Sequence, residues 1–91
     1  MTRIELTTAM AAAPGIDRDR ARLALDAFTD TVSAALQRGE TVRLPGFGSF
    51  VPVDRKAGTG RNPRTGQPVA VPAARTARFR PGEGLKSVLN G

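Results

Sequence analysis

The 91-residue chain contains no cysteine, no histidine, no tryptophan and no tyrosine. Without cysteine there is no disulfide, and without cysteine or histidine no ordinary zinc site. Cys–His and Ser–His–Asp arrangements and histidine-based acid–base catalysis are excluded with them. The eight carboxylates lie mostly among arginines in helical stretches, the pattern of solvated ion pairs, and no cluster suits a catalytic metal. We therefore expect no enzyme, no cofactor and no small-molecule substrate. No apolar run approaches the roughly 18–20 residues of a membrane span. "MTRIELTTAM" places a glutamate among its few apolar residues and lacks a signal-peptide apolar region. The expectation is a soluble cytoplasmic protein with no membrane partner.

Large apolar groups are scarce as well. Four phenylalanines are the only aromatics, so a core depends on Leu, Val, Ile and Ala. A single domain of this size buries only about 60–65% of its unfolded surface. "GTGRNPRTGQP" at 58–68, with three glycines, two prolines and two arginines, brings no large apolar group to a core. Small chains of this kind recruit a staple, and with disulfides and zinc excluded the remaining one is oligomerisation. A homodimer is expected.

What is present is positive charge, unevenly placed. The net charge is +6. Residues 1–50 are balanced, whereas residues 51–91 carry eight bases against Asp54 and Glu83. Between those two acids lie seven bases and no acid. A solvated face normally mixes signs, so this segregation points to a polyanion, nucleic acid before an anionic membrane.

The apolar spacing predicts an α+β domain. Residues 3–13 read as a helix with Ile4, Leu6, Met10 and Ala13 in an uneven stripe, broken by Pro14-Gly15. Asp17 is placed to N-cap a second helix over roughly 18–38, which Gly39 ends. Along it Ala21, Leu25, Phe28, Val32 and Leu36 recur at spacings of three and four. Leu23, Ala24, Ala27 and Ala35 widen the stripe, which suits a dimer interface or a generous monomer core. The period then changes to two: "TVRL" and "GSFVPV" read as strands around the turn "PGFG", and "PVAVPAARTARF" as a third extended run. "PGEGLKSVLNG" closes the chain as a short helix with Leu85, Val88 and Leu89 on one side.

Residues 52–75 read as a β-ribbon leaving the body, with Asn62-Pro63-Arg64-Thr65-Gly66 as its turn. Pro68 and Pro72 share parity, as befits an open edge. The ten residues from Val53 to Pro63 can extend about 30 Å. Arg55, Lys56, Arg61, Arg64 and Arg75 lie on or near this ribbon, where phosphate contacts would give affinity without sequence reading. Pro63 is the one apolar, rigid group at the apex. Residue physics favours an ordinary turn proline there over a wedge between base pairs.

"GFGSF" at 46–50, "GRNPRTG" at 60–66 and "FRPGEGLKS" at 79–87 together resemble the bacterial HU and integration host factor family, over the whole chain and most nearly HU. The resemblance implies one histone-like domain over 1–91. Its parts are a helical dimerisation part with the first strands (1–50), the β-ribbon arm (52–75), and a last strand with a C-terminal helix (76–91). It implies an intertwined dimer whose three-stranded antiparallel sheets and arms embrace double-stranded DNA through the minor groove. Pro63 is then an intercalating wedge, with Arg61 and Asn62 beside it. Arg55, Lys56, Arg64 and Arg75 become arm contacts, and Arg78, Arg80 and Lys86 body contacts with phosphate. The backbone around Gly46 and Gly48 becomes a phosphate cradle. Leu25, Phe28, Val32, Leu36, Phe47, Phe50 and Phe79 become core and dimer-interface residues, and Arg3 with Asp26 a supporting ion pair. Asp54, Gly58 and Glu83 depart from the family by standing where bases are common, which subtracts phosphate contacts.

The implied function is to bind, bend and compact DNA in the bacterial nucleoid with little sequence preference. Two alternatives stand beside it. One is a site-specific subunit like integration host factor. The other is an RNA-binding protein, which the absence of aromatics from residues 51–78 disfavours.

Overall fold

Thr2 begins the first helix. Its hydroxyl accepts the Glu5 backbone N–H at 3.3 Å and donates to the Glu5 carboxylate at 3.1 Å, which caps α1 (Arg3–Met10). In this computed structural model, which describes all of residues 1–91, α1 stops at Met10, three residues short of the expected end. Pro14 disfavours helical geometry at the residue before it, and Gly15 takes φ +80°. The chain therefore tightens into successive three-residue turns, Ala12 N–H to Ala9 and Ala13 N–H to Met10. The face that α1 buries also differs from the expected stripe. Ile4 and Leu6 are exposed, and Thr7 is the buried residue. Its hydroxyl bonds back to the Arg3 and Ile4 carbonyls, so no polar group is stranded.

Asp17 caps α2 (Arg18–Gln37) as expected: its carboxylate accepts the Arg20 N–H at 2.8 Å, and its carbonyl accepts the Ala21 N–H. The far end closes with Gly39 at φ +82°. Gly39 N–H bonds to the Leu36 carbonyl at 3.0 Å and Glu40 N–H to Ala35 at 2.9 Å, a Schellman closure. Along the expected face Ala21 is fully buried, Leu25, Val32 and Leu36 are half-buried, and Phe28 is exposed.

The chain comprises two compact units, Met1–Ala34 and Ala35–Gly91. The second is built on an antiparallel sheet ordered β1 (Val42–Leu44), β2 (Gly48–Arg55) and β5 (Ala74–Pro81). Leu44 pairs with Gly48 across the first turn, and Phe50 with Phe79 across β2 and β5. The Phe79 ring lies 5.1 Å from that of Phe50 and 5.4 Å from that of Phe47. α3 (Glu83–Asn90) docks its first turn on the β1–β2 turn: Leu85 N–H bonds to the Gly46 carbonyl and Gly82 N–H to Phe47. A Cβ at Gly84 would lie 2.6 Å from the Gly46 oxygen, so this docking needs glycine there.

β3 (Gly58–Arg61) and β4 (Pro68–Val71) pair outside this sheet as a two-stranded ribbon. The extended run expected over 68–79 is thus divided. Pro72 has no N–H to give the ladder, and pairing lapses at 56–57 opposite 72–73. The register survives the lapse. From Arg55↔Ala74 to Gly58↔Val71 each strand advances three residues, so one hairpin runs from the sheet to the tip.

Candidate nucleic-acid interface

One register over the whole hairpin fixes its two faces, because side chains alternate and cross-strand partners share a face. Arg55 and Arg61 fall on the same face as Arg78 and Arg80, through the pairs Val51↔Arg78 and Ser49↔Arg80. All four arginines are exposed, and no carboxylate shares their face within the ladder. The opposite face carries Phe50, Phe79, Asp54, Arg75, Lys56, Val69 and Val71. The eight bases of residues 51–91 are therefore not one patch. A stripe of four arginines occupies the open face, and Arg75 and Lys56 lie on the other.

Arg75 makes three hydrogen bonds within its own chain. Its Nε donates to Asp54 Oδ1 at 2.6 Å, Nη2 to Asp54 Oδ2 at 3.3 Å, and Nη1 to the Gln37 carbonyl at 2.7 Å. The Arg75 hydrogen bond holds the Asp54 carboxyl below its ordinary value. Arg38 does the same for Glu40, from 3.2 Å. Arg55 spans the lapse in the ladder, its Nη2 donating to the Pro72 carbonyl at 3.2 Å. Lys86 lies 3.7 Å from Glu83 on α3. In the first unit Arg3 Nη2 donates to Asp26 Oδ1, the pairing expected of those two residues.

The tip is held by its own backbone. Gly66 N–H donates to the Asn62 carbonyl at 2.7 Å, Asn62 N–H to Gln67 at 2.9 Å, and the Asn62 side-chain oxygen accepts Arg64 N–H at 2.8 Å. Gly66 supplies the left-handed residue at φ +71°. Pro63 and Arg64 are exposed at the apex, next to Arg61 at the end of β3.

Gly46 and Gly48 have internal purposes. Gly46 turns at φ +82° and offers its carbonyl to α3. Gly48 is buried, and a Cβ there would lie 2.5 Å from the Phe79 ring and 2.6 Å from the Arg80 carbonyl. The Phe47 N–H between them is taken by Leu44. Sequence reasoning missed the Asp54–Arg75–Gln37 cluster. The signal was available once the turn at Asn62–Gly66 fixed the register, since that register pairs Asp54 with Arg75.

The family model for bacterial DNA-binding proteins matches residues 1–90. A DNA-binding protein HU of Caulobacter vibrioides is 55% identical over 89 residues, covering 98% of this chain and 97% of the relative. HU-beta of Neisseria meningitidis serogroup A is 45% identical, covering 98% and 100%. Among solved structures, an Anabaena HU–DNA cocrystal superposes with a TM-score of 0.85 at 35% identity, covering 98% of this chain and 97% of that one. Motifs, fold and these matches agree over nearly the whole chain, which belongs to the family of bacterial DNA-binding proteins that includes HU.

Proposed function

We propose that the protein is an architectural DNA-binding protein of the bacterial nucleoid. It acts as a homodimer and bends duplex DNA through the minor groove with little sequence preference. The observation that carries this reading is the open face of the hairpin, where Arg55, Arg61, Arg78 and Arg80 align without an intervening acid. Guanidinium forks suit the negative potential of a narrow minor groove and the phosphates that flank it. At the tip, Pro63 is the wedge, with Arg61, Asn62 and Arg64 beside it and Arg55 and Lys56 nearer the root. Arg78, Arg80 and Lys86 meet phosphate at the body.

The HU proteins matched here are named for DNA binding, and one was solved with DNA, which supports the same reading. The half-buried and exposed apolar residues Leu25, Phe28, Val32, Leu36, Phe47, Phe50 and Phe79 are the surface a second copy covers. Gel-shift titration against linear, nicked and random-sequence duplexes at several salt concentrations tests the proposal. The logarithm of the binding constant should fall linearly with that of salt, by about 0.9 per phosphate neutralised. An affinity indifferent to salt contradicts it.

A further inference from the structure

Arg75 differs from the four arginines of the open face in two independent ways. It lies across the ribbon from them, on the Phe50–Phe79 face. Its guanidinium also makes three bonds to its own chain, forked onto Asp54 and reaching the Gln37 carbonyl, where Arg55 makes one, to the Pro72 carbonyl. Gln37 is the last residue of α2, and a carbonyl there has no acceptor role left within the helix. A cation at that end meets the negative pole of the helix dipole as well. Gly39 follows closely: a Cβ there would sit 3.7 Å from Arg75 Nη1.

We propose that Arg75 is a positioning residue: with Asp54 and the Gln37 carbonyl it clamps the root of the arm, and it contributes no phosphate contact. This rests on the DNA-bending reading above and refines it, by removing one cation from the contacting set and giving Asp54 a part. The location argues for the role. The clamp joins the Asp54↔Arg75 rung, the last but one before the ladder lapses at 56–57 and 72–73. Everything beyond that lapse is an isolated two-stranded ribbon, an element with little stability of its own in water. Its direction is inherited from the rungs at its root, and the clamp ties those rungs to the end of α2. A forked, charge-assisted pair has the directionality this requires. Asp54, an acid within the basic half of the chain, serves here as the anchor that orients a guanidinium.

The test compares wild type with Arg75→Gln, Arg75→Lys, Asp54→Asn and Arg78→Gln, in salt-series binding and in energy transfer across an end-labelled duplex. Arg75→Gln and Asp54→Asn should keep the wild-type salt slope and lower the transfer in the saturated complex. Arg78→Gln should reduce the slope by about 0.9 for each chain engaged. Arg75→Lys keeps the charge and loses the fork, so it should behave as Arg75→Gln does. A slope reduced by Arg75→Gln and restored by Arg75→Lys overturns the proposal, because it makes Arg75 a phosphate contact. Unchanged transfer in Arg75→Gln and Asp54→Asn also overturns it.

A DNA-free measurement supplements these. The Arg75 Nε proton should exchange slowly in wild type and rapidly in Asp54→Asn, and rapid exchange in both denies the clamp. If wild type shows no salt-dependent duplex binding, the DNA reading falls and the inference with it. If wild type binds and bends and the variants match it, the clamp alone falls.

Discussion

A methyl group added at Gly48 in β2 would lie 2.5 Å from the Phe79 ring and 2.6 Å from the Arg80 carbonyl of the paired strand β5. Gly48→Ala should therefore destabilise the fold by about 1–3 kcal/mol through overpacking, measured by urea denaturation. Gly46→Ala meets no atom within 4 Å, and its penalty is conformational, from φ +82°. A left-handed L-residue costs roughly 1–2 kcal/mol. Asp17→Ala removes the acceptor of the Arg20 N–H and should cost about 1 kcal/mol in the same assay. Two exposed carboxylates contribute to the acid response. Asp54 and Glu40 are held below their ordinary values by hydrogen bonds from Arg75 and Arg38. A depressed folded-state value contributes stability that is complete above the unfolded-state value and is lost as pH falls through the folded one. Stability followed by circular dichroism should decline as pH drops below the ordinary carboxylate range, and Asp54→Asn with Glu40→Gln should flatten that decline.

Among the elements, the hairpin makes the sharpest claim, because its single register assigns each base to a face. Arg78→Gln on the open face should flatten the salt dependence of duplex binding. Lys56→Gln on the opposite face should change it less, and equal effects would contradict the two-faced ribbon. The two helix ends of α2 and the tip turn were legible in the sequence because their signals are local. Asp17, Gly39 and Asn62-Pro63-Arg64-Thr65-Gly66 each act within a few residues through one cap or one backbone conformation. The end of α1 was harder to read, since the restriction Pro14 imposes and the turn at Gly15 reach back through Ala13 to undo a helix that composition alone would extend. The lapse in the ladder required knowing that 56–57 face 72–73. The Arg75 clamp and the docking of α3 on Gly46 are non-local again: they depend on which residues the register and the turn bring together.

At the scale of the whole molecule, one chain does not contain a core of its own. The buried apolar side chains are two alanines, Ala21 and Ala35, and no large side chain is fully buried. Leu23 is 60% exposed, Phe47 48%, Val88 78% and Leu89 71%. The accessible surface is 7277 Å², against about 5,100 Å² for a folded monomer of this mass. In the homodimer proposed above a second copy would supply the missing burial, and the stability of such a dimer is inseparable from protomer concentration. The melting temperature should accordingly rise with chain concentration in calorimetry, and a constant value would mean that the single chain is stable alone. The scarcity of aromatics and the absence of cysteine and histidine fit the proposed homodimer, since one chain has little to fill a core and nothing to staple it. The most direct measurement is energy transfer across an end-labelled, random-sequence duplex titrated with wild type and with Pro63→Ala. Wild type should raise the transfer to a plateau as binding saturates, and Pro63→Ala should bind nearly as well yet reach a lower plateau. Saturable binding with no change in transfer for either protein would contradict the account.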